Sequence, residues 1–349
     1  MKRRTFTAMA ASAALATGLL AMSSGAALAA DVTLKLHQFL PPVATLPKHL
    51  LKPWGEAVEA ASGGSVKIQH FDAMALGGRP PELMQQATDG AVDIVMTVVG
   101  YSPGRFPRSE VVELPFMMTD TVGTSLALQA LIEEDFQENE YKDLKVLAAW
   151  VHGPGLIHSR DGVTKLEDME GLKVRGPTRV INNLLTELGA QPIGMPLPAI
   201  PEGLSKGVIN GTVIPWEVTP SIKLAELVHN HTEFSGDASL YTAAIIMVMN
   251  KAKYESLSDE QRAALDSESG AKLSAQAARV MVDFDKPGRD IAIAAGNKID
   301  ILDEAEVARW KAAAEPVVAT WIAEMKEKGI DGEALIARTK ALIAEKTPK

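Results

Sequence analysis

Apolar positions along the chain change period in a way that separates strands from helices. From Asp31 to Phe39, Val32, Leu34 and Leu36 fall on every second residue, the period of a half-buried strand. Leu46, Leu50, Trp54, Ala57, Val58 and Ala61 then recur at helical spacing, and Gly63-Gly64 stops the helix. Residues 66–71 predict a second strand. Pro80-Pro81 opens a helix running to Gly90, and the apolar run over residues 93–99 predicts a buried third strand. Strand, helix, strand, helix, strand is the pattern of a right-handed α/β sheet. After an acidic helix expected over residues 125–140, the alternation resumes. Strands are predicted at 145–151, 171–175, 192–195 and 208–214, with helices at 178–188 and 198–206 between them. A further long strand is expected over 240–250. From Ser258-x-x-Gln261, a capping box, the pattern is helical. One helix should reach toward Asn297 with a kink at Pro287-Gly288, followed by helices over 303–328 and 331–345. Two α/β units with a helical last third make a cleft architecture, and clefts between units take small ligands.

Composition narrows the class. Of 349 residues, 46% are apolar and 23% charged, so neither a disordered nor a fibrous chain is expected. The net charge is −9. The basic residues Lys2, Arg3 and Arg4 precede the first acid, Asp31, so the remainder carries 32 basic against 44 acidic residues, a net −12. Such a chain repels phosphate backbones, which argues against nucleic acid as a partner. It has no cysteine, and hence no disulfide, thiolate nucleophile or lipid-modified N-terminal Cys.

The first residues read as an address. Lys2-Arg3-Arg4, an Ala/Leu-rich stretch from Ala8 to Met22 and Ala27-Leu28-Ala29 have the layout of a signal peptide over residues 1–29. Ser12, Thr17, Ser23 and Ser24 interrupt the apolar run that a membrane anchor needs. Arg3-Arg4-Thr5-Phe6 is compatible with either the general or the twin-arginine export route. An exported, unanchored protein is expected.

Catalytic motifs do not stand out. There is no Gly-x-Ser-x-Gly elbow, His-Glu-x-x-His, Walker loop or Gly-x-Gly-x-x-Gly. His229-x-His231 has no third ligand near it in sequence and reads as a surface turn. Arg175, by contrast, ends a predicted strand before a turn and helix, where open α/β sheets face their ligand crevice. Its guanidinium offers a planar fork matched to a carboxylate. From the local sequence alone, a solvated surface salt bridge is the commoner fate of such an arginine.

A wider pattern changes that balance. Lys165-Leu166-Glu167-Asp168-Met169-Glu170-Gly171-Leu172-Lys173-Val174-Arg175-Gly176-Pro177, then Leu188-Gly189-Ala190, Met195-Pro196 and Gly207-Val208-Ile209-Asn210-Gly211, resembles the DctP-type solute-binding proteins of TRAP transporters. Ala75-Leu76-Gly77-Gly78, Asp89-Gly90-Ala91-Val92-Asp93 and Glu113-Leu114-Pro115-Phe116 fall in the same family order. The resemblance implies a two-lobed, periplasmic-binding-protein-like α/β fold with crossing strands and a long domain-spanning helix. Lobe I would comprise residues 30–152 and 240–280, and lobe II residues 153–239 and 281–349. It implies a periplasmic receptor, a monomer without a cofactor, that closes on an organic acid and delivers it to the small and large membrane subunits of a permease.

Residue by residue, Arg175 matches the family arginine that pairs with the ligand carboxylate. Phe39, Arg79, Thr97, Gly100, Thr178 and Leu197 match lining positions, and Tyr101 and Arg105 sit close by in sequence. Two departures stand out. Sugar-acid members carry a second arginine where this chain has Gly155, and an asparagine where it has Ile214. Some keto- and hydroxy-acid members place Glu and Trp together, often with a cation; this chain has Trp216-Glu217 in the reverse order, and no metal is expected. Phe39, Tyr101 and Trp216 are expected to stack a ring, with Arg79 or Arg179 assisting Arg175. An aromatic or apolar 2-oxo or 2-hydroxy monocarboxylate is the expected ligand class. A periplasmic enzyme or a sensor module using the same cleft is the alternative.

Overall fold

The computed structural model describes residues 31–236 and 239–348. The expected signal peptide lies outside them. Among the described residues eleven strands form two sheets: β1 (Val32–Gln38), β2 (Val66–Phe71), β3 (Ile94–Val98), β4 (Leu144–Val151), β5 (Leu156–Ser159), β6 (Lys173–Gly176), β7 (Gln191–Gly194), β8 (Gly211–Ile214), β9 (Asn230–Phe234), β10 (Ala244–Asn250) and β11 (Lys298–Leu302). The first sheet runs β2-β1-β3-β10-β4 and the second β11-β9-β5-β8-β6-β7.

The crossing of the chain is visible in the order. Strand β4 closes the first sheet and leads straight into β5 of the second. After β9 the chain returns, and β10 inserts antiparallel between β3 and β4, setting Met247 opposite Met96 and Ala148. Strand β3 is buried throughout and β10 nearly so, which is why their sequences read as unbroken apolar runs.

Three strands escape the sequence pattern: β5, β9 and β11. In β5 and β9 buried polar side chains replace apolar ones because they satisfy each other. His158 Nε2 donates to the Ile214 carbonyl (3.1 Å), which leaves its Nδ1 to accept from His231 Nδ1 (2.7 Å). His231 Nε2 in turn accepts from Asn297 Nδ2 (3.0 Å). Of the expected surface turn at His229-x-His231, His229 is exposed ahead of β9 but His231 is buried within that strand, and among the described residues no group of three acidic or histidine side chains is placed to hold a metal.

Ser258 caps the expected helix, its Oγ accepting from the Gln261 N–H while Gln261 Oε1 accepts from the Ser258 N–H. The helix is not one piece. Asp259–Ser267 ends at Glu268-Ser269, where Gly270 takes φ +63°, and Gly270–Ala294 then runs unbroken through Pro287. A left-handed residue interrupts the i to i−4 ladder, whereas Pro287 removes only one donor from it. The long segment packs against β4 and the helix Thr121–Leu131 on one side, and against the Trp216–Ile222 turn on the other. That helix begins at Thr121 rather than near 125 because Asp120 caps it, accepting from the Gly123 N–H. Glu304–Glu327 packs on Arg179–Glu187, while Gly332–Lys346 lies back against Thr121–Leu131. Among the described residues no helix is long and apolar enough to cross a membrane.

Candidate functional site

The carboxyl ends of β1, β3, β6 and β8 converge on one cavity between the sheets, where open α/β sheets place their ligand sites. Its walls include Phe39 and Leu40 after β1, Val98 and Tyr101 at the end of β3, Arg175 on β6, and Ile214, Pro215 and Glu217 at the end of β8. Leu197, His152, Tyr241 and Ile245 complete the enclosure with a few smaller apolar side chains. The cavity volume is about 60 Å³. That is several times the roughly 10–15 Å³ that a cavity needs to hold one water.

Arg175 is 2% exposed. Its Nε donates to the Met195 carbonyl (2.8 Å), Nη1 to the Val213 carbonyl (3.3 Å) and Nη2 to Tyr101 Oη (3.3 Å). A guanidinium has five N–H donors, so one on each Nη is left over. Among the described residues it has no carboxylate partner. A buried cation held only by neutral acceptors is costly, and an anion that supplied the missing charge would recover that cost.

Tyr101 is placed by the short turn Val99–Tyr101 that ends β3. Its Oη accepts from the Leu197 N–H (2.9 Å) as well as from Arg175, which leaves its own hydrogen free to donate. The Phe39 and Tyr101 rings meet at 5.5 Å and 57°. His152 Nδ1 donates to the Gly153 carbonyl (2.6 Å), and burial pulls its pKa down to about 4, so the ring is neutral near pH 7. Burial pushes the Glu217 carboxyl up to about 7 and that of Asp285, which accepts from the Glu217 N–H (2.8 Å), to about 7 as well. Tyr241 Oη is buried with no hydrogen-bond partner.

Contacts across the cleft hold the two sheets together. Thr178 Oγ1 donates to Glu113 Oε2 (2.7 Å), whose pKa burial raises to about 8. Arg179 pairs with Glu110 and Glu324 at 2.5 Å each, and the Trp321 indole N–H also donates to Glu110.

Of the residues expected at the site, Phe39, Tyr101, Arg175, Leu197, Ile214 and Glu217 line this one cavity. Six others do not. Arg79 is a surface residue paired with Glu82. Thr97 lies buried within β3, outside the cavity wall. Gly100, Thr178 and Arg179 line an outer groove that shares Tyr101 and Pro177 with the cavity. The acids around Arg179 hold its guanidinium away from the ligand space. Trp216 points to the far side of β8, where its indole donates to Glu233 Oε1 (2.8 Å) and its ring packs on His158 and His231. Trp216 opens the tight helical turn Trp216–Ile222 after β8, where successive side chains stand about 120° apart, and Glu217 takes the cavity side. Arg105 reaches Thr88 and Gln85 instead of capping the cavity. Sequence reasoning passed over His152 and Tyr241, which enter from the two crossing segments beside β4 and β10. The signal available was a polar ring at each crossover.

The model of the DctP family, bacterial extracellular solute-binding protein, family 7, matches residues 38–325. A marine metagenome TRAP solute-binding protein specific for aromatic acid ligands, solved with metahydroxyphenylacetate, is 45% identical with a TM-score of 0.89, covering 91% of this chain and 100% of that one. A TRAP solute-binding protein from Rhodoferax ferrireducens, solved with copurified benzoate, is 43% identical with a TM-score of 0.89, covering 90% and 98%. One from Bordetella bronchiseptica with bound (R)- and (S)-mandelate is 28% identical with a TM-score of 0.83, covering 90% and 99%. A matched family model over most of the chain, and a fold shared end to end, leave one assignment: the chain belongs to the DctP-type solute-binding proteins of TRAP transporters.

Proposed function

We propose that this chain captures an aromatic or similarly apolar monocarboxylate in the interlobe cavity and presents it to the two membrane subunits of a TRAP permease. One observation carries the reading: among the described residues Arg175 is the only cation lining the cavity and is buried without a carboxylate partner, and most of the surrounding wall is apolar. The fork of Arg175 takes the carboxylate, and Phe39 and Tyr101 flank the ring. Each Å² of apolar ligand surface buried there contributes roughly 25 cal/mol. A second carboxylate, or the hydroxyls of a sugar acid, would face Ile214 and other apolar groups unpaired, at about 1–3 kcal/mol each. The aromatic acids bound by the three solved relatives support the same class.

The two sheets support a division into lobes at the crossing segments, near residues 152 and 240, with the last helix strapping back onto lobe I. Export by the N-terminal signal and action as a monomer complete the reading. A thermal-shift screen of the purified chain tests it. Benzoate, 3-hydroxybenzoate and mandelate should raise the melting temperature more than malate, succinate or a sugar acid; the reverse order sinks the proposal.

A further inference from the structure

Tyr241 sits in the cavity wall yet its hydroxyl bonds to nothing. The residue is 1% exposed and its Oη is among the buried polar atoms without a partner. An orphaned hydroxyl in an apolar wall is costly, and native structures retain few of them without a reason. What holds the ring in place is legible around it. The Tyr241 carbonyl accepts from the Gly155 N–H (2.9 Å), and the ring stands edge-on to His152 with centroids 5.3 Å apart. A Cβ at position 155 would lie 2.1 Å from Tyr241 Cε1 and 2.6 Å from Cζ. No side chain fits at 155 while this ring is where it is. Gly155 and Tyr241 thus share one space, and the tyrosine fills it.

Tyr241 shares the cavity wall with Arg175 and Tyr101. Among charged and polar groups Arg175 acts most strongly on the phenol, followed by Tyr101 and Glu113. Burial keeps its proton on, its pKa standing well above the ordinary value, so near pH 7 the group is a donor. Arg175 has two unused N–H groups and Tyr101 one unused O–H, and both residues line the cavity with Tyr241. A carboxylate offers about four acceptor sites.

We infer that Tyr241 is a second anchor for the ligand carboxylate, its O–H donating to the oxygens that the Arg175 fork holds, and that Gly155 is required because it makes room for that ring. The inference rests on the carboxylate reading proposed above and specifies how the anion is shared. One cation and two neutral hydroxyls meet one negative charge, so the ligand site balances at a monoanion.

Tyr241→Phe removes a single oxygen that no protein group uses, so the variant should fold with a ligand-free melting temperature equal to or above that of the wild type. Benzoate titrated calorimetrically at pH 7 is the readout. A hydrogen bond to a charged acceptor lost from a buried site should weaken binding by roughly ten- to a hundredfold. Gly155→Ala, which forces the ring aside, should weaken benzoate as well. Wild-type protein that binds benzoate, with Tyr241→Phe matching it within twofold, overturns the anchor and leaves the carboxylate reading standing. Wild-type protein that binds no carboxylate in the screen overturns both.

Discussion

Replacing Arg175 by methionine separates binding from folding. Methionine fills much of the same volume but provides neither charge nor fork. In the ligand-free protein two opposing terms act. The change removes three hydrogen bonds, to the Met195 and Val213 carbonyls and Tyr101 Oη, each worth about 0.5–1.5 kcal/mol net. It also removes a buried, unpaired cation whose desolvation costs several kcal/mol. The two are of similar size, so the ligand-free melting temperature should move little. Binding has no such compensation. Two free N–H donors aimed at one carboxylate are worth about 1.5–3 kcal/mol each, which places the loss at roughly a hundred- to ten-thousandfold in Kd. Arg175→Lys should recover only part of it, because an ammonium keeps the charge and lacks the planar fork. Calorimetry with benzoate decides. Affinity within tenfold of wild type in Arg175→Met would refute the argument, since it would mean that the buried cation is not what the anion meets.

Two further outcomes follow from the surrounding geometry. Arg179→Met leaves the mostly buried Glu110 carboxylate without its ion pair, keeping only the Trp321 indole as a donor, and should cost about 2–3 kcal/mol of stability by denaturant unfolding. Its effect on benzoate affinity should be smaller than that of Arg175→Met; the opposite ranking would restore Arg179 as the carboxylate holder. The acids at the cleft set the pH response. Glu113, Glu217 and Asp285 have folded pKa values raised by burial to about 8, 7 and 7. Raised carboxyl pKa values contribute stability that is complete below the unfolded value and lost as pH climbs through the folded one. Stability should therefore decline between pH 5 and 8. Benzoate affinity should fall over pH 6–9 as Glu217 ionises in the cavity wall, and Glu217→Gln should flatten that part of the profile. An affinity that rises with pH would contradict this.

The sequence by itself determined whatever depends on local pattern. Period-2 and period-3.6 spacing set β1 to β4, β10 and the terminal helices, because those segments bury one face or both against a core and repeat accordingly. It also marked Arg175 at the end of a strand, although the resemblance to the DctP-type family, and not the local pattern, tipped that arginine from a solvated salt bridge to a ligand site. What it did not contain is pairing between distant positions. Strands β5 and β9 carry buried histidines instead of apolar residues, and these are satisfied only when residues 158 and 231 are brought together. Which of Trp216 and Glu217 faces the cavity depends on the phase of one residue at the end of β8, and no periodicity extends through that turn to fix it. Arg179 was free to reach a ligand until folding set Glu110 and Glu324 around it. Tyr241 and Gly155 are 86 positions apart, and neither residue type says anything alone. Only the crossing of the chain between two sheets puts the ring of one against the missing side chain of the other, in the wall of the cavity that Arg175 also lines.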